Sequence, residues 1–172
     1  MPTFGTSVKW SAVNAASEQN GLAERVRRRI ADFDATVPGS IGEMMNFQVV
    51  EYDHTRDSIV MTCRTMPWMQ NYAGTLHGGL CATILDQAMG FVAYCLMEVE
   101  GTAPAVHLSV DYHRPLHPGE QVIVQVHVVS VTRSLTKLTA EAVQASCPEK
   151  ICLSGSGVYF FKPKVYNVLK NM

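Results

Sequence analysis

The spacing of apolar side chains changes three times along the chain, and each change marks a different kind of element. From about Ser17 to Val37, Leu22, Val26, Ile30, Phe33 and Val37 recur at helical intervals among charged residues. That pattern predicts an amphipathic helix whose apolar stripe must lie on something. After Pro38 and Gly39, strands are expected at about 42–52 and 57–65, separated by the turn-prone Asp53-His54-Thr55-Arg56. From Gly79 to about Met97, small, branched and aromatic residues occupy every face of a helix, which predicts a core helix. Beyond Gly101 and Pro104 the period falls to two. Val106, Leu108, Val110 and Tyr112 alternate with His107, Ser109, Asp111 and His113, and Val122 to Val128 alternate with Gln121 to His127 in the same way. Two more strands are expected at about 135–146 and 151–162, with turns at Thr132-Arg133-Ser134 and Pro148-Glu149-Lys150. The order helix, two strands, buried helix, four strands predicts an α+β architecture. One antiparallel sheet of five to six strands wraps around one long central helix, with an extra N-terminal helix.

Composition narrows what this fold can do. With 172 residues, 47% of them hydrophobic and 17% charged, the chain suits one compact domain with a real core. A net charge of −1 gives no general attraction to nucleic acid or to an anionic membrane, so neither is an expected partner. Arg25, Arg27, Arg28 and Arg29 are interleaved with Glu18, Glu24, Asp32 and Asp34, the pattern of a solvated helix face. The cysteines are odd in number, five, and contain no C-x-x-C, which argues against a disulfide framework or a zinc knuckle and fits a reducing cytoplasm. Cys147 and Cys152 flank a turn but are expected as free thiols. Met1 to Ser17 lacks the apolar core of a secretory signal, and no segment reaches the ~20 apolar residues of a membrane span. A soluble, cytoplasmic protein is expected.

The candidate chemistry centres on Asp86, the only formally charged side chain from Gly78 to Met97. A buried carboxylate without a charged neighbour costs several kcal/mol, which points to a functional role. A helix starting near Gly78 presents unpaired N–H groups and partial positive charge, suited to an oxygen becoming an oxyanion. Asp86 lies eight residues further along, roughly 12 Å at ~1.5 Å per residue, too far for one helix to bring both groups to one carbonyl. A two-fold dimer with antiparallel neighbouring helices would oppose Asp86 of one subunit to Gly78 of the other. The structural alternatives are a carboxylate bonded to backbone or to Gln87, a helix-capping His77, and a tight loop-to-helix turn at Gly78 and Gly79. His107, Asp111 and His113 share a strand face, but His107 and Asp111 are ~13 Å apart and no third ligand is evident, so no metal is expected. Ser154-Gly155-Ser156-Gly157 does not present a nucleophile elbow.

The pattern Asn71-x-x-Gly74-x-x-His77-Gly78-Gly79, with Asp86 seven residues on, resembles the signature of hotdog-fold acyl-CoA thioesterases of the phenylacetate-degradation (PaaI-like) type. The segment Ser109 to Pro115, with Pro118 and Gly119 after it, is similar to the strand and turn that follow the helix in that family. The resemblance covers about 42–162. It implies a hydrolase of acyl- or aryl-CoA thioesters, a hotdog domain over 41–165 and an N-terminal extension over 1–40. It further implies no cofactor, coenzyme A being part of the substrate, and a homodimer that forms the active site, paired again into a homotetramer. Carried over by residue, Asp86 is nucleophile or general base, Gly78 supplies the oxyanion N–H, and His77 orients the helix start or touches the thioester. Asn71 holds substrate or water, and Ser109, at a family hydroxyl position, helps place the attacking water. Gly79 belongs to the substrate-binding turn, and Arg114, Arg133 and Lys137 are the cations expected near coenzyme A phosphates. The acyl pocket is expected from residues such as Met44, Tyr94 or Trp68, with the acyl group open. The competing readings are a hotdog hydratase or dehydratase, which wants a paired His and acid, and a non-catalytic acyl-CoA-binding protein.

Overall fold

A computed structural model describes residues 15–53, 58–97 and 101–163, with side chains from 21 onward. The first helix, α1 (Ala15–Thr36), turns Leu22, Val26 and Ile30 into the common core, as its apolar stripe requires. The strand expected from 42 begins instead as a short helix, α2 (Ile41–Met45), and only then as β1 (Gln48–Asp53). Local capping explains the difference. Ser40 Oγ accepts the Glu43 N–H at 3.2 Å, the Glu43 carboxylate reaches back to the Gly39 N–H, and Asn46 ends the turn in the left-handed region at φ 47°. These caps outweigh the strand propensity of the residues between them. The strand β2 (Ser58–Arg64) follows; of the turn expected before it, 54–56 lie outside the described residues.

A 3-10 turn (Pro67–Met69) and a loop lead to α3 (Gly78–Cys95). Then come β3 (Gly101–Thr102), β4 (Ala105–Tyr112), β5 (Gln121–Val131), β6 (Leu135–Gln144), β7 (Ile151–Phe160) and β8 (Lys162–Pro163). Six strands form one antiparallel sheet in the order β1-β2-β5-β6-β7-β4. The dipeptide strands β3 and β8 pair with each other and are too short to leave a periodic signal.

The inner face of the sheet carries Val122, Val124, Val126, Leu138, Ala140 and Ala142, all buried. Ile84, Leu85, Ala88, Met89 and Val92 of α3 are buried with them in one cluster. Gly155 lets the helix come close, because a Cβ there would stand 3.0 Å from Leu85 Cδ1 and 2.6 Å from the Ser109 carbonyl oxygen. The helix is not covered on every side, however. Gly79, Thr83, Asp86, Gln87, Gly90 and Tyr94 follow one stripe of α3 that a single chain leaves exposed or half-buried. The strand β4 departs from expectation in the same direction. It is an edge strand, its Leu108 and Val110 are only half-buried, and Val106 stands 59% exposed.

Candidate active site

The loop from Gln70 to His77 is organised by the side chain of Asn71. Its Oδ1 accepts the N–H groups of Ala73 (2.8 Å) and Thr75 (3.2 Å), and its Nδ2 donates to Thr75 Oγ1 (2.9 Å) and the Leu76 carbonyl (3.2 Å). Both ends of the amide are therefore spent inside the loop. Gly74 sits at φ +81°, a left-handed position that favours glycine, and its N–H closes the turn on the Asn71 carbonyl at 3.1 Å. The loop is pinned from both sides, by Leu76 N–H to the Leu116 carbonyl (2.8 Å) and His77 N–H to the Met69 carbonyl (2.9 Å).

These bonds deliver His77 to the N-cap of α3 in an extended conformation, φ −62° and ψ 132°. Its Nδ1 accepts the Gly79 N–H at 3.3 Å, and its carbonyl takes the N–H groups of Leu80 and Cys81. Among the described residues no acceptor takes the Gly78 N–H, so this donor at the positive end of the helix remains available. The Tyr112 hydroxyl donates to the Gly78 carbonyl at 3.0 Å, steadying the turn from β4. A Cβ at Gly78 would meet nothing nearer than the Tyr112 ring at 3.7 Å. The glycine is thus not required by packing within this chain, and its absent side chain leaves the N–H open to a ligand.

Two turns along, Asp86 lies on the uncovered stripe of α3. Its Oδ1 accepts from the Tyr159 hydroxyl at 3.0 Å, and the same hydroxyl lies 3.1 Å from the Asp86 carbonyl oxygen. Tyr159 is 2% exposed, and burial, reinforced by the adjacent Asp86 charge, holds its phenol well above the usual tyrosine range. It therefore remains a donor to the carboxylate at neutral pH. Asp86 opens on a cleft of about 220 Å³ whose other walls are Gln87, Gly90, Phe91 and Tyr94 of α3, Tyr159 of β7, Thr102, Ala103 and Ala105, and Arg29 and Phe33 of α1.

The structure gathers some of the expected residues and separates others. Asn71, His77, Gly78 and Gly79 form one continuous turn, while Asp86 belongs to the cleft. Ser109 is paired in register with Ser156, next to the pair Val110 and Gly155 whose face meets Leu85. Its side chain therefore points to the opposite face of the sheet from α3, and Ala105 is the β4 residue that lines the cleft. Arg114 is tied to the Ile151 carbonyl at 2.7 Å, whereas Arg133 and Lys137 are exposed; none of the three lines the cleft. Of the pocket residues expected, Tyr94 lines it, while Met44 and Trp68 are 44% and 49% exposed elsewhere. Among the described residues no group of three or more His, Cys, Asp or Glu gathers as a metal site. Sequence reasoning missed Tyr159, Arg29 and Phe33. Period two along β7 puts residue 159 on the face of Gly155 and Gly157, and that was the available signal for Tyr159. The α1 arginines read together as one solvated face, and nothing in their spacing singles out Arg29.

Residues 73–150 match the thioesterase superfamily. Mouse acyl-coenzyme A thioesterase 13 is 33% identical over 67 residues, which are 38% of this chain and 46% of that protein. The human counterpart is 34% identical over the same share. The match thus spans less than half the length of these relatives. Among solved structures, the Escherichia coli PaaI protein from the phenylacetic acid degradation operon superposes with a TM-score of 0.68 at 16% identity, covering 86% of this chain and 98% of that one. A Streptococcus mutans protein bound to acetyl CoA, smu.793, gives 0.59 at 19% identity, covering 70% of this chain and 92% of its own. At these identities the structural likeness shows the fold.

Proposed function

We propose that this chain, which carries a thioesterase-superfamily domain in the hotdog fold, hydrolyses the thioester of an acyl- or aryl-CoA at a site shared between two copies of itself. The observation that carries the reading is the pairing of a free Gly78 N–H at the start of α3 with the Asp86 carboxylate on the uncovered stripe of the same helix. The thioester carbonyl oxygen accepts from the Gly78 N–H of one subunit, which polarises the carbonyl and stabilises the oxyanion. Asp86 of the other subunit either removes a proton from water as it attacks or attacks the carbonyl itself. In both routes the carbon–sulfur bond breaks, the thiolate of coenzyme A leaves and takes up a proton, and water supplies the second oxygen of the free acid. His77 and Asn71 act through the loop that presents the Gly78 N–H.

Two features support a second copy. The stripe of α3 that carries Asp86 lacks cover, and β4 offers its outer edge beside the cleft, with Val106 and Tyr112 exposed. Relatives named for acyl-coenzyme A hydrolysis, and a structural neighbour holding acetyl CoA, support the substrate class. Within one copy His77 Nδ1 accepts from Gly79 and Asp86 from Tyr159, so the chain forms no His–acid pair of the kind a hydratase reading wants. The test is release of free coenzyme A from a panel of acyl- and aryl-CoA esters by wild type and Asp86→Asn. A loss of kcat of at least ~100-fold in a folded variant is expected; equal hydrolysis by the variant rules the mechanism out.

A further inference from the structure

The cleft beside Asp86 has a direction. Asp86 and Gln87, then Gly90 and Phe91, then Tyr94 line it on successive turns of α3, so it runs for roughly 12 Å along the helix at ~1.5 Å per residue. Its walls are about evenly polar and apolar; Phe33, Phe91, Ala103 and Ala105 supply apolar cover, and Gly90 removes a side chain from the middle. Drug-sized ligands occupy clefts of roughly 300–1,000 Å³, so this smaller space suits the acyl group and leaves the coenzyme outside.

At the end away from Asp86 lies a cation. Among the described residues Arg29 is the only basic one lining the cleft, and its guanidinium carbon stands 3.8 Å from the centroid of the Tyr94 ring. Stacking uses the face of the guanidinium and leaves its N–H edge for a planar acceptor. Two other arginines of α1 are committed elsewhere, Arg25 donating to the Cys95 carbonyl and Arg27 to Glu24 and to the Val49 and Val50 carbonyls, and Arg28 is exposed. Among the described residues no carboxylate is ion-paired with Arg29, which is half-buried. This half-buried guanidinium, stacked over a ring at the cleft, is left without a carboxylate partner among the described residues.

Resting on the thioesterase reading above, we propose that the acyl group runs along α3 toward Arg29 and ends in a carboxylate, so that the substrates are mono-CoA thioesters of dicarboxylic acids. The N-terminal helix is then part of the site, since Arg29 and Phe33 close the cleft that the rest of the domain opens. The carboxylate of the acyl group completes Arg29 with a charge-assisted, bidentate contact, while Phe33, Phe91, Ala103 and Ala105 cover its methylenes.

Matched pairs test this with the full chain: adipoyl-CoA against hexanoyl-CoA, and suberoyl-CoA against octanoyl-CoA. In at least one pair wild type should favour the carboxylate-ended ester in kcat/KM, on the order of tenfold or more, the factor a hydrogen bond to a charged group supplies. Arg29→Gln should draw that ratio toward one, chiefly by raising KM for the carboxylate-ended ester. The ratio within one protein is insensitive to how much of the variant folds. A wild-type ratio of one or less in both pairs, or a ratio that Arg29→Gln leaves unchanged, overturns the proposal while the thioesterase reading stands. Hydrolysis of no ester in a wider acyl- and aryl-CoA panel overturns both.

Discussion

The Tyr159 hydroxyl stands 3.0 Å from Oδ1 of Asp86 and 3.1 Å from the same residue's backbone oxygen, so one buried phenol ties the carboxylate and its stretch of α3 to β7. The bond does two things. It orients one carboxylate oxygen, leaving the other toward the cleft, and it satisfies a phenol that is otherwise deeply buried.

Replacing that phenol separates the two effects. Tyr159→Phe keeps the ring and removes the donor, and kcat should fall by about tenfold or more with little change in KM, in line with 1.5–3 kcal/mol for a hydrogen bond to a charged group. A pH signature accompanies it. Because the folded-state pKa of Tyr159 is raised, chiefly by burial and then by Asp86, its contribution to stability is complete below the unfolded value of about 10 and is lost as pH climbs beyond it. Urea midpoints between pH 8 and pH 10.5 should therefore fall further for wild type than for Tyr159→Phe. Equal slopes would show that the phenol is not held in its neutral form.

Asn71 gives a different kind of prediction, because its amide is fully engaged within the loop. Asn71→Ala strands the Ala73 and Thr75 N–H groups and should cost about 1–3 kcal/mol of stability, together with kcat, as the Gly78 turn loosens. Urea unfolding and coenzyme A release on the same preparation check it. Unchanged stability with a raised KM would mean that Asn71 touches substrate instead.

The cysteines are predicted to remain separate thiols of unequal reactivity. Burial pushes Cys63 up to about 12 and Cys81 and Cys95 up to about 11; the hydrogen bond to Glu149 also raises Cys147, but it is the one cysteine that is not buried. A chromogenic disulfide reagent at pH 8 should titrate Cys147 first in the native protein and all five after unfolding. A denatured count of three would reveal one disulfide and contradict the prediction.

Much of this architecture was legible because hydrophobic period is a strong signal over long elements. The uninterrupted run after Gly79 predicted α3, and the alternating valines from Val122 predicted β5. Failures came where local or absent groups decide. Ser40 and Glu43 cap α2 within a segment whose side chains also suit a strand. The polar stripe through Asp86 and Gln87 is masked in the sequence by glycines and alanines, so α3 reads as apolar all round. Sequence spacing placed Asp86 and the Gly78 turn on one helix, and helix rise alone raised the demand for a partner. Spacing does not tell which strand or helix faces a side chain across the core. That is why neither the contact of Tyr159 with Asp86 nor the place of Arg29 beside the cleft follows from spacing alone.

The central claim is that each site takes its carboxylate and its oxyanion donor from different copies of the chain, and complementation tests it most directly. Asp86→Ala removes the carboxylate. Gly78→Pro removes the N–H at the first helical position, where proline is well tolerated and where the extended His77 backbone suits a following proline. Each variant alone should be inactive. Mixed one to one and allowed to exchange subunits, they should recover about a quarter of wild-type coenzyme A release, since half the dimers are mixed and each mixed dimer has one intact site of two. No recovery despite demonstrated exchange would place both groups in one subunit and contradict the account.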